Sequence, residues 1–257
     1  MMLILKNVKN RIGTLILNRP EKRNALDSEM IGGLLKGLEE MGNDQRVKVV
    51  VIKGQGSVFC SGADLSHLKE IKDNSYLDNL SDSRQLATLF QKIFQYPKVV
   101  IAQVEGSALA GGCGLALVCD FVFAVPDVKF GFPEVKIGFL PALVMVFARE
   151  KLGPGKTRNL LLAGNLFDTE AAKALGLVYQ MVPKEDIETH VGQFATNLVQ
   201  DNSDQSMADI KDMLVTIQGK NFYEALEYAA IKNAKARKTA HFEKGLSAFL
   251  SKEKMRW

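Results

Sequence analysis

Long apolar runs are missing from this chain. None of about 18 residues occurs in its 257, which excludes a membrane-spanning helix. The two best candidates, Leu115–Val125 and Phe139–Ala148, are broken by Asp120 and Pro141. A secretory leader is not expected either, because Lys6, Lys9 and Arg11 arrive before a hydrophobic region could form. Cysteine is scarce: Cys60, Cys113 and Cys119 are an odd three, too few for a disulfide framework and without metal-ligand spacing. Small buried thiols are the expectation for them. Histidine is equally sparse, and His67, His190 and His241 lie near no candidate nucleophile, so they read as surface residues. There is no Gly-x-Ser-x-Gly elbow. A net charge of +4 is too small an excess for a nucleic-acid partner, though it suits an anionic small molecule. What these absences leave is a soluble, cytoplasmic protein without a metal.

The chain has the composition of an ordinary globular domain, with 47% hydrophobic and 24% charged residues. Its first part alternates β-rich runs with helical patterns. Leu3–Val8 and Gly13–Leu17 read as strands, and Asp27 and Ser28 open an amphipathic helix to about Met41. Val47–Lys53, rich in β-branched residues, and Lys98–Val104 read as strands buried on both faces. Tyr76–Gln95 reads as a helix, Leu115–Cys119 as a short one, and Phe121–Val125 as another strand. This alternation predicts an α/β fold with parallel pairing. Beyond Lys151 helical segments dominate, with Leu177–Val182 the one strand-like run. We therefore expect a sheet-based core over residues 1–190 and a C-terminal helical lobe over 191–257. Lys232, Lys235, Arg237 and Lys238 form the densest basic run, either a solvated helix face or a contact for phosphate or a second subunit.

Two glycine-rich turns follow buried strands: Ser61-Gly62-Ala63-Asp64-Leu65, and Gly106 to Gly112. Each hands the chain to a helix, where backbone N–H groups lack intrahelical acceptors and sit at the positive end of the dipole. Two such donors converging on one point make an oxyanion hole. Glycine-rich turns after strands are common, so a purely structural role stays open at this level. The segment Gly153 to Thr157 imitates the end of a phosphate-binding loop, but Glu150 stands where that loop needs its first glycine.

Taken together, four segments resemble the enoyl-CoA hydratase/isomerase (crotonase) family: Asn18 to Leu26, Phe59 to Leu65, Gly106 to Gly112, and Phe130 to Gly138. The resemblance extends through Ala171–Val178 to Gly245–Leu250. It implies a spiral of ββα turns with a C-terminal helical trimerisation lobe, and a homo-oligomer, either a trimer or a dimer of trimers. It also implies an acyl-CoA substrate, with coenzyme A arriving as part of that substrate and no separate cofactor. By resemblance, the N–H groups of Ala63 and Gly111 hold the thioester oxygen of an enolate. Lys22, Arg23 and Ala25 would cradle the CoA, with Ala63, Asp64 and Leu65 on the other side of the adenine. Phe249 and Lys252 would close over it from the C-terminal lobe.

The chain departs from the family's hydratases at the acid/base pair. They use two glutamates, one just after Gly-Gly-Cys and one in the Pro-Glu motif. Glu134 fills the second position, while the first is Gly114, a vacant second-acid position. The stretch Lys136 to Phe147 resembles a subgroup hydrating branched, methylglutaconyl-type CoA esters of leucine breakdown. The expected activity is therefore hydration or dehydration of a 2-enoyl-CoA by a single glutamate, a lyase reaction. The alternatives are Δ3,Δ2-enoyl-CoA isomerisation, decarboxylation, or a non-catalytic CoA-binding protein.

Overall fold

The computed structural model describes residues 2–63 and 74–257. Among the described residues ten strands form two sheets. The larger has the order β1-β2-β3-β5-β7-β10, and the smaller β4-β6-β8-β9. A hairpin of β1 (Ile4–Lys9) and β2 (Ile12–Leu17) edges the large sheet; its turn residues Asn10 and Arg11 both take positive φ. From β2 onward every pairing in that sheet is parallel, through β3 (Val49–Gly54), β5 (Val99–Val104), β7 (Phe121–Ala124) and β10 (Gln180–Met181). β5 is buried along its whole length and β3 over Val49–Ile52, as strands covered on both faces are.

The chain alternates between the sheets. β3 leads to β4 (Val58–Cys60), β5 to β6 (Ser107–Leu109), and β7 to β8 (Phe130–Gly131). After β6 and β8 the chain turns into helices α3 (Gly111–Leu117) and α4 (Ala142–Leu152). These are the ββα turns that the resemblance implies. Helices α1 (Ser28–Asn43) and α2 (Tyr76–Phe94) pack together; the Asp27 side chain caps α1, and a Ser75/Asp78 capping box starts α2. Phe59, Phe90, Phe123, Phe130 and Phe132 fill the core between the layers.

α5 (Pro154–Ala163), β9 (Leu166–Phe167) and α6 (Thr169–Leu175) return the chain to β10. α7 (Ile187–Asp201) then packs on the large sheet through Ile187, Val191, Ala195 and Val199. This helix runs across the boundary expected between residues 190 and 191. The C-terminal helices α8 (Asp204–Thr216), α9 (Phe222–Ala236) and α10 (Ala240–Leu250), called the C-terminal lobe below, follow it. Within the basic run, Lys232 pairs with Asp212 at 2.8 Å. No helix among the described residues is long and apolar enough to cross a membrane.

Candidate active site

The small sheet assembles the site. Its strands β4, β6 and β8 run parallel, with Cys60 opposite Ala108 and Ala108 opposite Phe130. Three turns therefore leave at the same, C-terminal, edge: Ser61–Ala63, Ala110–Gly111 and Phe132–Glu134. Segments some 70 residues apart in sequence become neighbours there.

The first two turns interlock. Gly62 has φ +86°, and a Cβ built on it would lie 2.8 Å from Ala110 Cβ and 3.0 Å from the Gly111 nitrogen. Only a glycine fits that approach and that backbone. Ala110 itself takes φ +50°, ψ −126°, an unusual conformation for a residue with a side chain. Its N–H donates to the Gly131 carbonyl at 2.8 Å, tying the second turn to the third. Helix α3 begins at Gly111 rather than at Leu115 as the sequence suggested. The Gly111 N–H is thus one of the helix-start donors that no intrahelical carbonyl can take. Ala63 forms a parallel bridge to Leu26, made by the Leu26 N–H donating to the Gly62 carbonyl at 2.7 Å. Ladder bonds of such a bridge run through the neighbours of Ala63, so its own N–H is not engaged in it. Ala63 is exposed and Gly111 half-buried, which leaves both donors within reach of a ligand.

The loop from Asn18 to Leu26 is stitched to the same place. The Ser61 N–H donates to the Arg23 carbonyl at 3.1 Å. The fully buried Asn24, at φ +52°, donates to the carbonyls of Gln55 and Val58 at 2.9 and 2.8 Å. Arg19 pairs with Asp27 and donates to the Ala25 carbonyl. This network presents Lys22 and Arg23 to solvent and buries Ala25. Asp64 and Leu65, together with His67, lie outside the described residues.

Glu134 sits on a short 3-10 turn, Pro133–Ile137, directly after β8. Its Oε2 is buried without a hydrogen-bond partner among the described residues. Burial pushes its carboxyl above the usual glutamate range. Its charge in turn helps raise the thiol of buried Cys113 on α3, whose main cause is burial. All three cysteines are buried with raised pKa, so none is a nucleophile candidate.

The position one residue beyond Cys113 is closed. A Cβ on Gly114 would lie 2.7 Å from Val144 Cγ2 and 3.0 Å from Phe90 Cζ. The vacancy left by the missing second glutamate is therefore filled by neighbouring side chains, which sequence reading did not foresee.

Phe249 stands with Gln205, Asp209, His241, Phe242 and Trp257 in a groove of the C-terminal lobe. None of these belongs to the turns above, and Lys252 is exposed just beyond α10. His241 is half-buried against Ser203 at 2.8 Å, and the half-buried His190 lies by Phe123, so neither is the plain surface residue expected. Among the described residues no group of three His, Cys, Asp or Glu side chains could hold a metal ion.

Comparison with known proteins gives the family and the fold. The profile of the enoyl-CoA hydratase/isomerase family matches residues 7–257. A putative enoyl-CoA hydratase of Thermus thermophilus is 36% identical over 97% of this chain and 98% of its own. The 1,2-epoxyphenylacetyl-CoA isomerase of Escherichia coli is 28% identical over 97% and 95%. A crystal structure of an enoyl-CoA hydratase from Shewanella pealeana superposes with a TM-score of 0.93 at 26% identity, covering 99% of this chain and 96% of that one. The chain is an enzyme of the crotonase fold and belongs to the enoyl-CoA hydratase/isomerase family.

Proposed function

We propose that the protein hydrates a 2-enoyl-CoA, and dehydrates the corresponding 3-hydroxyacyl-CoA, with Glu134 as its single acid/base group. The observation that carries this is Glu134 Oε2, buried without a hydrogen-bond partner among the described residues, together with the closed second-acid position at Gly114. In hydration, the Glu134 carboxylate takes a proton from water as the oxygen bonds to the β-carbon. The displaced electron pair moves to the thioester oxygen, held by the N–H groups of Ala63 and Gly111. The enolate then collapses and takes the proton from Glu134 at the α-carbon. Glu134 ends as it began.

The substrate proposed is a branched, methylglutaconyl-type ester, supported by the stretch Lys136 to Phe147. CoA would lie along Lys22, Arg23 and Ala25, whose exposed cations suit a polyphosphate, with Asp64, Leu65, Phe249 and Lys252 as its further contacts. No separate cofactor takes part. The protein would act in the cytoplasm as a trimer or dimer of trimers. The exposed Leu214, Phe222, Tyr223 and Leu226 on the C-terminal lobe support self-association, and sedimentation would give the stoichiometry.

The closed space beside Gly114 favours a second reading, isomerisation of a 3-enoyl-CoA. There Glu134 would take a proton from the α-carbon and return it to the γ-carbon, a cycle needing neither water nor a second acid. Mass spectrometry of products from a 2-enoyl-CoA, a 3-enoyl-CoA and 3-methylglutaconyl-CoA separates the readings. Gain of water supports hydration, a shifted double bond at unchanged mass supports isomerisation, and loss of carbon dioxide or no change overturns both.

A further inference from the structure

The two side chains closing the space at Gly114 come from different helices. Phe90 projects from α2 and is fully buried; Val144 projects from α4 and is 4% exposed. Gly114 is three residues beyond the oxyanion donor Gly111, so both lie on one face of α3. Phe147, a turn after Val144, sets its ring edge-on to Phe90 at 6.0 Å and to Phe94 at 5.3 Å. The wall is therefore backed by a packed aromatic cluster and has little room to yield.

From this packing we infer that Val144, with Phe90 behind it, determines which chemistry the site runs. These side chains occupy the space that a carboxylate at position 114 and its bound water would need. Their apolar surface keeps polar groups away from the α3 side of the reacting carbons. The single-carboxylate character is thus held by three positions, and Gly114 is only one of them. This inference rests on the proposed role of Glu134.

The packing and the chemistry can be tested separately. Gly114→Ala is expected to lower Tm by about 5 °C, because its Cβ meets Val144; Gly114→Ala/Val144→Ala should recover most of that loss. Gly114→Glu alone should fold poorly and lose turnover. Gly114→Glu/Val144→Ala should hydrate a 2-enoyl-CoA about tenfold or more faster than Val144→Ala alone. Its pH–rate profile should show a second ionisation. Gly114→Ala or Gly114→Glu with wild-type Tm would overturn the inference, as would a folded double variant hydrating no faster than Val144→Ala. Failure of the underlying reading looks different: Glu134→Gln would then keep wild-type turnover while the Tm series stands.

Discussion

At the scale of single residues, Glu134 is held in a conflict between stability and chemistry. Its pKa is raised because burial disfavours the charged form. The folded state therefore binds the proton more tightly than the unfolded chain does, so charge at this site costs stability above the folded pKa. Glu134→Gln is expected to raise Tm at pH 7, with the gain disappearing towards about pH 4, where glutamate is protonated in either state. The same substitution should cut turnover about 10²-fold or more while acyl-CoA binding persists. Calorimetry across pH and steady-state kinetics check the two halves. In the wild type, kcat/KM should rise with pH along one ionisation displaced upward from the usual glutamate value. A different residue controls the turns proposed to hold the thioester oxygen. A Cβ on Gly111 would meet nothing closer than 3.7 Å. Gly62 is the tight position. Gly62→Ala should lower kcat about 10²–10³-fold, as loss of an oxyanion donor does, whereas Gly111→Ala should change it far less.

At the scale of elements, α3 is a seven-residue helix, too short to be stable by itself. Lys151 on α4 holds its far end. The buried ammonium donates to the carbonyls of Leu117, the last helical residue, and Cys119, two residues beyond it, at 2.9 and 2.6 Å. Lys151→Met should cost about 2–4 kcal/mol in urea unfolding, since both carbonyls would stay buried and unpaired. It should also lower turnover, because the other end of α3 presents Gly111. The elements readable in advance are those whose burial imposes a pattern. Val49–Ile52 and Val99–Val104 are buried at every residue and stood out within Val47–Lys53 and Lys98–Val104; α6 over Thr169–Leu175 ends at Gly176, in the left-handed region. β4, β6, β8 and β9, at two or three residues each, are too short to carry a period. α4 starts inside an apolar run straight after Pro141, with no capping side chain to announce it. The turns carrying Glu134, Ala63 and Gly111 were legible as local motifs. The approach of Phe90 and Val144 to Gly114 was not, because three separate helices create it.

At the scale of the whole molecule, the question is what keeps the C-terminal lobe on the core. One ion pair crosses between them with little solvent around it. Lys211 of α8 donates to Asp120 Oδ2 at 2.6 Å and to the Lys98 carbonyl at 3.2 Å. The same Asp120 oxygen accepts the Val100 N–H at 2.7 Å, at the start of a central strand. Truncating one partner of a buried pair leaves the other charge poorly solvated. Asp120 keeps its backbone donor and some solvent contact, so Lys211→Ala is expected to cost about 3 kcal/mol, the low end of that range. A second tie joins the far end of the chain. The Trp257 N–H donates to the Gln200 carbonyl at 3.0 Å, and Arg11 donates to the Trp257 carbonyl at 3.1 Å. This tie does not pass through Lys211, so the loss should loosen the lobe without unfolding the core. Hydrogen exchange of Lys211→Ala would reveal it as faster exchange across α8–α10, with β3 and β5 keeping wild-type protection. Equal loss in lobe and core would mean that the two unfold as one cooperative unit, with Asp120 and Lys211 inside it rather than at a joint.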